Sequence, residues 1–219
     1  MRILALDSAL SRCLAAVVID THVTATRRQD TRSGQAAILP DLVRAVLDES
    51  GLKAAELDLI AVTVGPGSFT GIRSAVALAQ GIGTGAGIPV AAVTVGEALA
   101  AALPNLHGRQ VWSVIDSRRN RVFLERDGAV AAWAIDALPD PDGPVAITGD
   151  AAAAVASRLA ARGANVMLTD SRFPSGGPIA RIGALRLAGA LRPLAVQPLY
   201  VDPPEAKPPR GGLRAPPVP

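Results

Sequence analysis

One nine-residue stretch constrains this chain more than any other: Gly65-Pro66-Gly67-Ser68-Phe69-Thr70-Gly71-Ile72-Arg73. It follows an apolar run, Leu57–Val64, and leads into Arg73–Ala86, a segment built almost wholly of Ala, Gly, Leu, Ile and Val. An apolar strand, a glycine-rich turn and an apolar helix are the ingredients of an α/β unit. The glycines allow backbone conformations closed to other residues, and Ser68 or Thr70 can cap the helix that follows. Free N–H groups at the helix start, with Arg73 one turn in, make a phosphate-binding turn physically reasonable. A tight, closely packed strand-to-helix turn explains the same residues without a ligand. The stretch is not a Walker A loop, because G-K-[ST] is missing, and its G-x-G-x-x-x-G spacing departs from the dinucleotide fingerprint.

The helix after the turn carries a second constraint. Ser74, Ala75, Ala77, Ala79, Gly81, Gly83 and Gly85 are all small. Each helical glycine costs about 1 kcal/mol against alanine. Close backbone packing, against the chain's own core or a partner, is what compensates such a cost.

Elsewhere the chain alternates strands and helices. Arg2–Leu6 and Leu14–Ile19 read as an antiparallel pair around the polar turn 8–12. Residues 33–51 place Ile38, Leu39, Leu42, Val43, Val46 and Leu47 at helical spacing, closed by Gly51 as C-cap. Pro89–Val95 reads as a strand and Gly96–Ala102 as a short helix. The pattern then restarts. Val111–Ile115 ends in Asp116-Ser117-Arg118-Arg119-Asn120-Arg121, as the first strand ends in Asp7-Ser8-Ala9-Leu10-Ser11-Arg12. Both fit apolar strand, D-S-x-x-x-R, apolar run, which is what a duplicated lobe would show. Val122–Leu124, Val145–Thr148 and Asn165–Leu168 read as strands, Ala151–Arg162 and Ile179–Ala190 as helices, and Leu199–Val201 as a final short strand. The proline-rich 203–219 reads as an extended tail. The fold class is α/β with mixed sheets. We expect a first lobe over 1–105, a smaller second lobe over 106–202, and the tail over 203–219.

Composition narrows the chemistry. With 49% hydrophobic and 19% charged residues, 219 residues bury a sizeable core, and disorder is excluded for most of the chain. Aromatics are only 3%, too few for a base-stacking surface, and the net charge of +3 is too small to diagnose a nucleic-acid binder. The single cysteine, Cys13, forms no disulfide within the chain and favours a reducing compartment. The two histidines, His22 and His107, stand far apart in polar segments, so no metal site with His or Cys spacing arises. Neither has a context for a catalytic triad. No signal peptide or membrane span reads from the sequence, so we expect a soluble chain of the cytoplasm. Asp7 and Asp116 end strands, where a carboxylate can hold a hydrated magnesium ion near phosphates or simply bond its own turn. Arg118, Arg119 and Arg121 form a basic turn, either solvated or facing an anionic partner such as RNA.

Three stretches together resemble one family: Ile3-Leu4-Ala5-Leu6-Asp7-Ser8, Val64-Gly65-Pro66-Gly67-Ser68-Phe69-Thr70-Gly71-Ile72-Arg73, and Pro198-Leu199-Tyr200-Val201 followed by Glu205-Ala206-Lys207-Pro208. They are similar to the TsaB (YeaZ) family, and Asp116-Ser117-Arg118-Arg119 is similar to its D-A-R-R segment. The resemblance implies an actin-like ATPase (RNase H-like) fold of two lobes. It implies a non-catalytic accessory subunit in threonylcarbamoyladenosine formation at position 37 of tRNA. The implied partners are the catalytic subunit TsaD in a heterodimer, the ATPase TsaE, a second copy when the chain is alone, and tRNA through the complex. No membrane partner, intrinsic cofactor, metal or catalytic residue is implied, although ATP or ADP at the partner interface is. Two helices, 37–50 and 74–86, become the interface, with Leu39, Leu42, Val43, Leu78 and Ile82 on them and the turn Gly65–Arg73 placing the second. Asp7 and Ser8 become a vestigial phosphate site, because no glycine stands between Asp7 and Leu14. The contrasting expectation is an enzyme in its own right, a nucleotide-dependent phosphotransferase or a metallopeptidase.

Overall fold

The computed structural model describes residues 1–31, 33–104, 106, 108–117 and 120–201. Arg118, Arg119, His107 and the tail with its Glu205–Pro208 segment lie outside them. Strand β1 (Arg2–Asp7) pairs antiparallel with β2 (Arg12–Ile19), and β2 with β3 (His22–Asp30). Helix α1 (Gln35–Ser50) then leads to β4 (Leu59–Thr63), parallel to β1. Helix α2 (Phe69–Ala86) leads to β5 (Val90–Val93), parallel to β4, and helix α3 (Val95–Ala101) closes this part. The sheet order is β3-β2-β1-β4-β5.

The arrangement then repeats. Strand β6 (Gln110–Asp116) pairs antiparallel with β7 (Arg121–Arg126), and β7 with β8 (Ala129–Ala134). Strand β9 (Val145–Thr148) lies parallel to β6, helix α4 (Ala152–Ala161) follows, and β10 (Val166–Leu168) pairs parallel with β9. This sheet reads β8-β7-β6-β9-β10, the same order with every strand replaced by its counterpart. The repeated strand–Asp opening in the sequence marks this duplication: Asp7 and Asp116 end the corresponding strands. The second lobe has no long helix where α1 stands in the first, only the short 3-10 turn Ile135–Ala137.

Alternation along the strands gives the first sheet two buried faces. Leu4, Leu6, Val17, Ile60 and Val62 point to the side covered by α1 and α2. Ile3, Ala5, Ala16, Leu59 and Ala61 point to the other side, which is covered by helix α5 (Gly176–Leu187) through Ile179 and Ala180. The sequence division groups 176–187 with the second lobe, but the chain crosses back. Small residues permit this: a Cβ on Gly176 or Gly183 would run into the methyl groups of Ala16 and Ala61. After α5, Leu194, Val196 and Leu199 continue onto the α1–α2 side of the first lobe.

Several expectations differ from the structure. Helix α2 begins at Phe69, four residues before the expected Arg73. The polar segment around His22 is a full strand, β3, and β8 is a strand the sequence pattern did not show. No strand forms at 199–201; Leu199 donates one backbone bond to the Val64 carbonyl (2.8 Å). A single such bond, with Tyr200 drawn aside, does not make a ladder.

Candidate functional site

The glycine turn is fixed against the β1–β2 turn. The Ser68 N–H donates to the Ala9 carbonyl at 2.6 Å. A Cβ on Gly67 would strike that carbonyl, and one on Gly71 would strike the carbonyl of Ser8. Gly71 lies inside α2, so its lack of a side chain serves close approach and does not end the helix. Ser68 is the N-cap, its Oγ accepting from the Gly71 N–H at 3.3 Å. Val95 N–H donates to the Gly65 carbonyl (2.8 Å), joining the turn to α3. Pro66 follows a cis peptide bond and is buried with Gly65, whereas Phe69 and Thr70 are exposed.

Asp7 and Ser8 lie beneath this turn, both fully buried. Asp7 Oδ1 accepts from Thr63 Oγ1 (2.5 Å) and the Ala9 N–H (3.2 Å), while Oδ2 is buried without a partner. Ser8 Oγ lies 3.4 Å from Cys13 Sγ. Burial pushes the Asp7 carboxyl up to about 6, against the opposing pull of its hydrogen bonds. Two donors that could cradle a phosphate, the N–H groups of Ser68 and Gly71, are engaged by the chain itself. Among the described residues, no group of three His, Cys, Asp or Glu is placed to hold a metal ion. No helix among them is long and apolar enough to cross a membrane.

Helices α1 and α2 pack side by side. Leu39 and Val43 are buried in the core, whereas Leu42, Leu78 and Ile82 are half-buried along its margin. An open groove of about 450 Å³ runs between the helices, lined by Leu39, Pro40, Ala77 and Leu78, with Arg73 and Ser74 at the start of α2. Ala77, Gly81 and Gly85 recur every four residues on the exposed side of α2. Among the described residues a Cβ on Gly81 or Gly85 would meet nothing within 4 Å, so no contact with them accounts for these two glycines. Gly83, by contrast, faces Ile88 and Val90.

A polar junction that sequence reasoning missed joins the lobes. Glu125 on β7 is buried and accepts from Thr94 Oγ1 and from the Gly96 N–H (3.1 Å) at the start of α3. Arg186 of α5 bonds Glu97 and the Ala92 carbonyl. Burial raises the Glu125 carboxyl to about 7; the Thr94 bond opposes this, the Glu97 charge adds to it, and the Gly96 N–H and Arg186 oppose it. The only signal in the sequence is a carboxylate in Arg121–Arg126, a strand otherwise apolar between its arginines.

The two matched sheets with helices on their faces are the actin-like ATPase fold. The sequence pattern of the family described as "TsaD: tRNA N6-adenosine threonylcarbamoyltransferase" matches residues 30–141, just over half of the chain. TsaB of Haemophilus influenzae, described as a tRNA threonylcarbamoyladenosine biosynthesis protein, is 34% identical over 127 residues, 58% of this chain and 53% of its own length. The chain thus spans about half the length of the curated TsaB proteins it matches. An uncharacterised protein of Mycobacterium tuberculosis is 32% identical over 215 residues, 94% of each chain. The solved structure of YeaZ from Pseudomonas aeruginosa superposes with a TM-score of 0.74 at 25% identity, covering 91% of this chain and 99% of that one. The chain belongs to the TsaB/YeaZ family.

Two outcomes follow from the geometry. Gly71→Ala forces the α2 start away from Ser8 and is expected to cost several kcal/mol, whereas Gly81→Ala adds helix propensity in open space and is expected to stabilise by about 1 kcal/mol. Urea unfolding of the two variants beside the native chain separates them. Asp7 and Glu125 both have folded values above the ordinary carboxyl range, so the fold favours their protonated forms. Their contribution is fully present at low pH. It falls by on the order of 1 kcal/mol per group per pH unit as pH rises from about 4 to the folded values near 6 and 7. Urea midpoints measured from pH 5 to 8 are expected to decline across this window, and Glu125→Gln is expected to flatten the decline between pH 6 and 7.

Proposed function

We propose that this chain is a non-catalytic accessory subunit of tRNA threonylcarbamoyladenosine formation, and that it binds and activates the TsaD threonylcarbamoyltransferase. The observation that carries this reading is the α1–α2 face. It combines an open apolar groove with Gly81 and Gly85, whose missing side chains no contact among the described residues requires. Backbones approach closely where such residues meet a second helix. The TsaB relatives, described as tRNA threonylcarbamoyladenosine biosynthesis proteins, and the matched transferase family pattern support a role in this process. TsaE joins through the complex, tRNA is met there, and a second copy takes the face when the chain is alone.

An enzyme in its own right is less well supported. The Asp7 carboxylate is enclosed, Ser8 turns to Cys13, and the turn donors Ser68 and Gly71 are engaged. In this reading the chain holds no cofactor of its own, and ATP or ADP belongs at the partner interface.

A reconstituted modification reaction tests the proposal. It combines the threonylcarbamoyl-adenylate synthase, TsaD, TsaE, tRNA, threonine, bicarbonate and ATP, with and without this chain. Modified nucleoside is expected only when the chain is present. Gly85→Leu, which fills the open side of α2, is expected to lower the yield by at least about tenfold while the unfolding midpoint stays near the native value. Equal yield without the chain would remove the accessory reading.

A further inference from the structure

The start of α2 carries a side-chain assembly that neither the core nor the turn requires. Phe69 and Tyr200 are both more than half exposed, at 56% and 51%. Between them lies Arg73, also exposed. Its guanidinium carbon sits 3.5 Å from the Phe69 ring centroid and 5.6 Å from that of Tyr200. Its Nε donates to the Tyr200 hydroxyl at 2.7 Å. Tyr200 is itself held in place: Leu199 N–H bonds the Val64 carbonyl, Gln80 Nε2 donates to the Val196 carbonyl (2.9 Å), and Leu194, Val196 and Leu199 pack on the first-lobe core.

The result is an arginine with its stem and Nε fixed and its two terminal amino groups left over. No carboxylate among the described residues pairs with them. An exposed arginine ordinarily loses rotamer freedom when it binds; here the ring stack and the tyrosine bond have already restricted it. Its fork matches a carboxylate in two parallel hydrogen bonds. The same side chain forms one end of the apolar groove over Leu39, Pro40, Ala77 and Leu78.

We infer that Arg73, held by Phe69 and Tyr200, is a pre-formed carboxylate anchor, and that the groove beside it takes a helix of the transferase subunit. That helix would seat an apolar side chain over Leu39 and Ala77 and an Asp or Glu on the Arg73 fork. This deepens the accessory reading and rests on it. A protein helix suits the site better than an RNA phosphate, because the floor is apolar and the faces of both rings turned to Arg73 are taken. Tyr200 is a positioning residue in this scheme. It ties the C-terminal segment to the partner face, so the segment from α5 onward serves the interface as well as the core.

Binding of the full chain to the purified transferase of the same organism, by biolayer interferometry from 50 to 300 mM NaCl, tests this. Arg73→Met is expected to raise Kd by at least about tenfold and to flatten its salt dependence. Arg73→Lys keeps the charge without the fork and is expected to fall in between, and Tyr200→Phe to weaken binding by about threefold. Thermal unfolding of all three is expected to match the native chain, since the side chains are exposed. If the native chain binds and the variants match its Kd and salt slope, the anchor is overturned and the accessory reading stands. If the native chain does not bind, both fall. A loss seen only in tRNA gel shifts, or only in self-association by sedimentation, also overturns the choice of occupant.

Discussion

Everything proposed for this chain depends on one close approach. The Ser68 N–H meets the Ala9 carbonyl, and Gly71 lies against the Ser8 carbonyl with no room for a methyl group. That contact locks the first turn of α2 onto the β1–β2 turn. The direction of an eighteen-residue helix is thereby set at its origin. The inner side of the helix buries Ile72, Ala75, Val76 and Ala79 against the sheet. Its outer side, from Arg73 through Ala77, Gly81 and Gly85, is left open beside α1. In a turn of the kind that elsewhere cradles phosphate, two backbone donors, the N–H groups of Ser68 and Gly71, here hold a helix start.

The rest of the chain supports that placement. Glu125 reaches from the second lobe to the start of α3, and α3 is joined to the glycine turn through Val95 and Gly65. Arg186 ties α5 to the same short helix through Glu97. A buried carboxylate with raised affinity for a proton is a costly way to join two lobes unless donors meet both oxygens, and they do. Among its described residues the second lobe has no counterpart of α1 and presents no equivalent two-helix face. The last described residues return to the start of α2, so the first and the last described segments both lie on the first lobe.

Much of this was legible in the sequence where one face of an element is apolar and the other is not. Helix α1 and its Gly51 C-cap follow from the spacing of Leu39, Val43 and Val46, and β9 is found at Val145–Thr148, as the apolar run predicts. The duplicated opening at Asp7 and Asp116 also carries through to matched sheets. Strand β3 was not legible because it buries only Ala25, leaving no alternation to read. The start of α2 was misjudged because Gly71 looks like punctuation until Ser8 is seen beside it. Gly176 and Gly183 of α5 likewise gain meaning only once Ala16 and Ala61 lie opposite them. Asp7 stands at the end of its strand, as the apolar run ahead of it predicts, but its hydrogen-bond partner Thr63 carries no signal in the sequence. The Arg73–Tyr200 pair joins positions 127 apart, a distance no local pattern spans.

Hydrogen–deuterium exchange of the full chain, with and without the transferase, tests the central claim most directly. The account predicts added protection concentrated at residues 35–50 and 69–86, strongest around Gly81 and Gly85, with β6–β10 unchanged. Protection centred instead on the β1–β2 turn and Asp116, with α1 and α2 exchanging as in the free chain, would contradict it.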